Sequence, residues 1–340
     1  MAPLVSVIIP AFNAERFLSD AISSAIAQEG VDTQIIVIDD GSKDDTAKIA
    51  KSFESIQLLS QSNSGPAAAR NNGLNHAKGD YVAYLESDDL WLPGFLAESV
   101  SALESHQEAF MTFSHWVPID ETGKQYSAKD RENLPGGHPL SIVREVTKDS
   151  DLATTFDNES REWNNLPYPL CREQFIKASE AVPTTSLFRG SMLKNRWRED
   201  IWAGEDRIYV LENMVHACAD VVFTFKPLCC RRFHSSNLYW TNSDLLSVSE
   251  RDLLAEQTLL QLLGPFLSKE EHLIIKSRFL QCLLDSSYHQ RKAGNARKAF
   301  SQACRAAALS PNSITCAAVV KSALSPLLGG VPPTAPSNKK

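Results

Sequence analysis

Residues 84–89 read Tyr-Leu-Glu-Ser-Asp-Asp, so Glu86, Asp88 and Asp89 put three carboxylates within four positions. The stretch before them, GDYVAYL, leans on Val, Tyr and Leu and reads as the end of a buried strand. Carboxylates accept protons, hydrogen bonds or positive charge, and three packed this closely repel one another. Burying one without a partner is costly. The plain alternative is a solvated turn that stops the strand. Two further acidic tips raise the same question. Asp40 sits in IIVIDDGS, and Glu205 and Asp206 stand in AGEDRIYVLE, at the start of a helix-like stretch. For these the structural alternative is a capping or turn acid before a helix.

The elements that must position these groups alternate between residues 4 and 116. Strand-like runs cover 4–10, 34–40, 55–61, 81–87 and 110–116, with helix-like stretches over 15–28, 44–54, 66–78 and 94–106. Continuous Val/Ile runs suit strands covered on both faces, which predicts an α/β fold with a mostly parallel central sheet and helices on both faces. Ligands of such sheets sit beyond the carboxyl ends of the strands. The first strand ends in PAFN, the second in DDGS and the fourth in ESDD, so these polar tips open into one crevice.

The rest of the chain narrows the classes. A net charge of −7 over 340 residues argues against a nucleic-acid partner, which calls for a basic face. The apolar run at the N-terminus is too short to span a bilayer and too β-branched for a signal peptide. Seven cysteines, an odd number with no C-x-x-C pair, suggest free thiols in a reducing cytoplasm. Residues 118–180 are polar and punctuated by Pro and Gly, an irregular insertion beside the crevice. Its Phe156, Trp163 and Tyr168 are candidates to shape a ligand pocket, with ordinary core packing as the alternative. From 249 to 310 the pattern is helical, and part of it is similar to one tetratricopeptide-type repeat. An independent solenoid needs at least three repeats, so this reads as an α-helical appendage. ITCAAVVKSALSPLLGGV is interrupted by Lys321 and Pro326; it is no convincing membrane span, but a helix lying on a membrane surface or a partner stays open. The segment 326–340 has the composition of a disordered tail.

Taken in order, VSVIIPAFNAERFLSDAISSAIAQ, IIVIDDGSKDDT, NSGPAAARNNGLNHAKGDYVAYLESDD and AGEDRIYVLE resemble the family 2 glycosyltransferases. The resemblance covers residues 4 to about 240 and implies a GT-A, Rossmann-like domain over 1–240, with a helical extension over 241–325. It implies a nucleotide-sugar donor whose nucleoside is gripped by Pro10, Phe12, Asn13 and Asp40, with Glu15 at the acidic position that often follows. A ring can stack on a base and a carboxylate can accept the imino proton of uracil; that the nucleotide is UDP is implied by the resemblance alone. Arg70 would reach the donor phosphates or the nucleoside side; its alternative role is an ion pair that steadies the acidic tip.

The ESDD segment falls where the family holds a divalent cation, Mn²⁺ or Mg²⁺, between its acids and the donor diphosphate. The resemblance makes Asp88, Asp89 and His234 the candidate metal ligands, with Arg231 and Arg232 nearby. Glu86 stands where the family usually has its first Asp and, with Ser87, would face the donor. Asp206 is implied as the general base and Glu205 as its companion, and a single base opposite the leaving group means inversion. No Gln-x-x-Arg-Trp stretch of processive members follows; KNRWRED carries Arg196 and Trp197 but comes before the base. The expectation is transfer of a single sugar to a hydroxyl of a glycan or lipid-linked acceptor, in the cytoplasm, with association at the inner face of a membrane left open. The competing reading is a nucleotide-sugar-binding scaffold that has lost turnover, hinted at by Glu86 alone.

Overall fold

The computed structural model describes residues 2–126, 168–178, 183–201, 204–235 and 245–324. Two compact units divide the chain, Met1–Asn237 and Leu238–Lys340. The expected boundary at 240, Phe156, Trp163 and the tail 326–340 lie outside the described residues.

The first unit opens with β1 (Leu4–Ala11), α1 (Leu18–Ile26), β2 (Asp32–Asp39), α2 (Thr46–Lys51), β3 (Ile56–Ser60), α3 (Pro66–His76) and β4 (Tyr81–Tyr84). It continues with β5 (Leu90–Trp91), α4 (Phe95–Ser105), β6 (Ala109–Ile119), β7 (Tyr168–Leu170), α5 (Arg172–Ala178), β8 (Ser186–Arg189), α6 (Glu205–Ala217) and β9 (Asp220–Arg232). The sheet order is β3-β2-β1-β4-β8-β6-β9-β5, with β7 paired to β9. Its first half is parallel, as are β6 and β9, and most paired residues lie in parallel ladders. From Val5 to Ala11 every residue of β1 is buried, which explains the run of apolar side chains without alternation.

Helices pack on the sheet by simple spacing. Leu18, Ala21, Ile22 and Ala25 form the buried stripe of α1. Helix α3 starts from Gly65, whose φ of +89° favours glycine, with Pro66 in its first turn. Gly73 lets this helix lie directly on β1 and β2: a Cβ there would come within 2.5 Å of Ile8 and 2.8 Å of Ile38.

The structure departs from the sequence reading in four places. Strand β4 ends at Tyr84, so the acids stand in the turn beyond it. Two short strands expected around VVFTFK and LCCRRF are one, β9; its register against β6 shifts between Thr224 and Pro227, which accommodates a proline in the ladder. Strand β8 slots between β4 and β6, antiparallel to both. The segment 118–180 is partly regular where it is described, holding the end of β6, β7 and α5 beside a turn after Asp120.

The second unit contains α7 (Leu245–Leu263), α8 (Lys269–Lys292), α9 (Ala296–Leu309) and α10 (Ser313–Leu324). Helix α8 begins at a capping box formed by Ser268 and Glu271. Leu253, Phe279, Leu283 and Ala306 form its small core. Among the described residues no helix is long and apolar enough to cross a membrane.

Candidate active site

The turn after β4 is anchored by Asp89. This buried carboxylate accepts the backbone N–H of Arg232 through Oδ1 at 2.9 Å and the Thr184 hydroxyl through Oδ2 at 2.8 Å. The same hydroxyl accepts the Glu86 N–H at 3.2 Å. Burial, then Asp88 alongside, pushes the Asp89 carboxyl up to about 7, against Arg231 and these hydrogen bonds. Both oxygens of Asp89 are engaged inside the protein.

Asp88 points elsewhere. Its Oδ2 lies 3.0 Å from Nε2 of His234, just beyond β9. Arg232 braces the pair by donating from Nε to the Asp88 carbonyl at 3.0 Å. Its guanidinium also meets Asp20 at 3.1 Å and the Glu121 carbonyl at 3.1 Å, and lies over the Phe17 ring.

Glu86 faces Arg70. The guanidinium lies 2.7 Å from Glu86, 3.3 Å from Glu205 at the head of α6, and 4.4 Å from the Trp197 ring centre. Burial would discharge Arg70, but the two carboxylates outweigh it and push its pKa up. An Asp at position 86 would end one methylene short of this contact. Glu205 is 13% exposed; burial and then Asp206 push its carboxyl up to about 7, with Arg70 opposing. Asp206, half-buried, accepts the Arg207 N–H at 2.7 Å. Arg70 thereby joins the acidic turn of β4 to the head of α6, bringing the neighbourhoods of Asp88 and Asp206 to one end of the sheet.

The nucleoside-side candidates form a second group at the tips of β1 and β2. Pro10 is buried in β1, while Phe12 is 47% exposed just beyond it. Asn13 has a left-handed φ of +48°; its Oδ1 accepts the Lys43 N–H at 2.9 Å and its own N–H donates to Ser42 at 3.0 Å. Glu15 accepts the Asp45 N–H at 3.0 Å. These two side chains thus sew the β1 and β2 loops together. Buried Asp40 accepts from Gln61 at 2.9 Å and from the N–H groups of Ser64 and Gly65, each at 2.9 Å. It holds the loop that leads into α3, the helix that carries Arg70, rather than the start of the helix that follows it in sequence. Because β2, β1 and β4 are neighbours, both groups lie at the same carboxyl-end edge. Ser87 is half-buried in the turn between Glu86 and Asp88.

Three contributors were given no place in the site by the sequence reading. Thr184 holds Asp89 and Glu86 together and accepts the Trp91 indole N–H through its carbonyl at 2.7 Å. Trp197 stacks on Tyr209 at 4.1 Å and supports Arg70. Asp20 holds Arg232. The only sequence signal was polarity or an aromatic ring near apolar runs, which does not name a partner.

Comparison with known proteins places this arrangement. A relative named a putative teichuronic acid biosynthesis glycosyltransferase, TuaG of Bacillus subtilis, is 37% identical over 158 residues, 45% of this chain and 58% of that protein. The chain covers 32% or less of the length of the rickettsial relatives, named uncharacterized glycosyltransferases, which it matches at 34–40% identity. Among solved structures, S. aureus TarS 1-349 in complex with UDP-GlcNAc superposes with a TM-score of 0.62 at 17% identity, covering 95% of this chain and 86% of that one. The mannosyltransferase PcManGT of Pyrobaculum calidifontis, in complex with GDP-Man and Mn2+, gives a TM-score of 0.56 at 14% identity, covering 97% and 87%. These two likenesses show the fold, a GT-A glycosyltransferase fold. The family model for glycosyl transferase family 2 matches residues 6–195, more than half of the 340 residues, and the chain belongs to that family.

Proposed function

We propose that the chain is an inverting glycosyltransferase that moves one sugar from a nucleoside-diphosphate sugar, with UDP as nucleotide, to a hydroxyl of a glycan or lipid-linked acceptor in surface polysaccharide biosynthesis. The observation that carries this reading is the double contact of Arg70 with Glu86 and Glu205, which gathers the acidic turn and the head of α6. The complexes of TarS with UDP-GlcNAc and of PcManGT with GDP-Man and Mn2+, and the name of TuaG, support the donor class, the cation and the pathway class. None of the seven cysteines is paired in a disulfide, which suits a reducing cytoplasm.

In this reading the exposed Phe12 ring stacks on the base. Asp40 has three of a carboxylate's roughly four acceptor sites filled and offers the last to an imino proton. Asn13 and Glu15 shape the loop rather than touch the donor. Ser87 lines the donor side of the turn. Among the described residues no three His, Cys, Asp or Glu side chains converge on a metal position, so the fit rests on Asp88 and His234. Asp88 and His234, whose Oδ2 and Nε2 lie 3.0 Å apart, are the residues that would hold a cation. A carboxylate and an imidazole would suit Mn²⁺. When bound there, such a cation offsets the charge on the departing diphosphate. Asp89 serves as an anchor of the turn.

Asp206 takes the proton of the acceptor hydroxyl as that oxygen attacks the anomeric carbon. The bond from that carbon to the diphosphate oxygen breaks, its electron pair leaves with the nucleoside diphosphate, and one displacement inverts the centre. Arg70 and Glu205 hold the head of α6 in place during the attack.

A nucleotide-sugar panel with and without Mn²⁺, read by thermal shift and nucleoside-diphosphate release, tests this. A donor should raise Tm, and Asp206→Asn should slow release by about 10²–10⁴-fold while keeping that rise. Asp88→Ala should lose the part of the rise that depends on Mn²⁺. No Tm rise with any donor sinks the reading, and binding without turnover by the unaltered chain favours the scaffold.

A further inference from the structure

The helices of the second unit pack in succession, α7 on α8, α8 on α9 and α9 on α10. A helix that ends such a stack in water normally shows a polar outer face. Helix α10 does the reverse. It buries the hydroxyls of Thr315 and Ser322, and leaves Ile314 69% and Val320 56% exposed. Lys321 is its one charged residue. Tyr288 of α8, 47% exposed, lies in the same groove, with Leu284, Arg291, Ile314, Ala317 and Lys321 along it. Among the described residues no carboxylate lines this groove. Arg291 and Lys292 lie 5.5 and 5.7 Å from the Tyr288 ring centre. The charge pattern is local: residues 285–324 contain Arg291, Lys292, Arg297, Lys298, Arg305 and Lys321 against Asp285, with Lys298 paired to Glu250, in a chain of net charge −7.

We infer that this face docks on the surface of an anionic lipid bilayer. Ile314 and Val320 enter the boundary between headgroups and acyl chains, and the Tyr288 ring sits at headgroup depth. Arg291, Lys292 and Lys321 meet lipid phosphates. A symmetric contact between two copies would instead set one basic rim against another. The inference goes beyond the proposed transfer chemistry and stands on the second unit alone.

Sedimentation of the full chain with vesicles, of phosphatidylcholine alone or mixed with phosphatidylglycerol, tests it without reference to turnover. The chain should bind the anionic vesicles, less as salt rises, and leave the neutral ones. Arg291→Gln with Lys321→Gln should weaken binding about 30-fold, at about fivefold per basic side chain. Ile314→Asp should weaken it about tenfold or more. Ile314 and Lys321 are exposed and Arg291 is half-buried, and circular dichroism with Tm verifies that the variants fold. The inference is overturned by absent binding, by equal binding to both vesicles, or by folded variants that bind like the parent. A dimer in light scattering that Ile314→Asp dissolves, with no vesicle binding, assigns the face to a second copy instead.

Discussion

Replacing Arg70 by Met keeps the length of the side chain and removes its charge from between Glu86 and Glu205. Glu205 is the more sensitive partner, because its carboxylate is 13% exposed against 25% for Glu86. Breaking a buried ion pair from one side costs about 3–5 kcal/mol, since the remaining charge has no compensation. The Glu86 share is discounted because solvent screens it. The loss also depends on pH. Glu205 rises from an ordinary 4.5 to about 7 in the folded chain, so folding takes up a proton between these values. Its ionisation therefore erodes stability as pH rises through that window. Arg70 opposes the shift; without it the window extends upward and the erosion deepens. The variant should lose about 3–5 kcal/mol at pH 8, equivalent to roughly 6–20 °C in Tm for a unit of this size, and clearly less at pH 5. Urea unfolding followed by tryptophan fluorescence at both pH values measures this. A loss under about 1 kcal/mol at pH 8, or an equal loss at both, refutes the account of Arg70 as the clamp of this site.

Two other substitutions probe the supports. Thr184→Val leaves Asp89 Oδ2 and the Glu86 N–H without their shared hydroxyl, and should cost about 1–3 kcal/mol in the same unfolding assay. Gly73→Ala forces a methyl against Ile8 and Ile38 and should cost about 1–3 kcal/mol, with a neutral result showing that α3 lifts freely off the sheet.

Local patterns were enough to place β1–β4, β6 and the helices between them, though not the short β5 or the end of β4. Buried runs such as Val5–Ala11 and the 3.6-residue stripe of α1 are written in adjacent residues, and the polar strand tips follow from them. The identity of Asp40, Glu86, Asp88 and Asp206 as tip acids was legible for the same reason. Their partners were not. Arg70 meets Glu205 across 135 positions, Arg232 meets Asp89 across 143, and Thr184 meets Asp89 across 95. Periodicity reports which face of an element is covered, but which distant element covers it depends on sheet order. Only the tertiary fold inserts β8 between β4 and β6 and runs β9 through Pro227 as one strand. That pairing carries Thr184 and Arg232 under the acidic turn, turning a row of repelling carboxylates into a braced one.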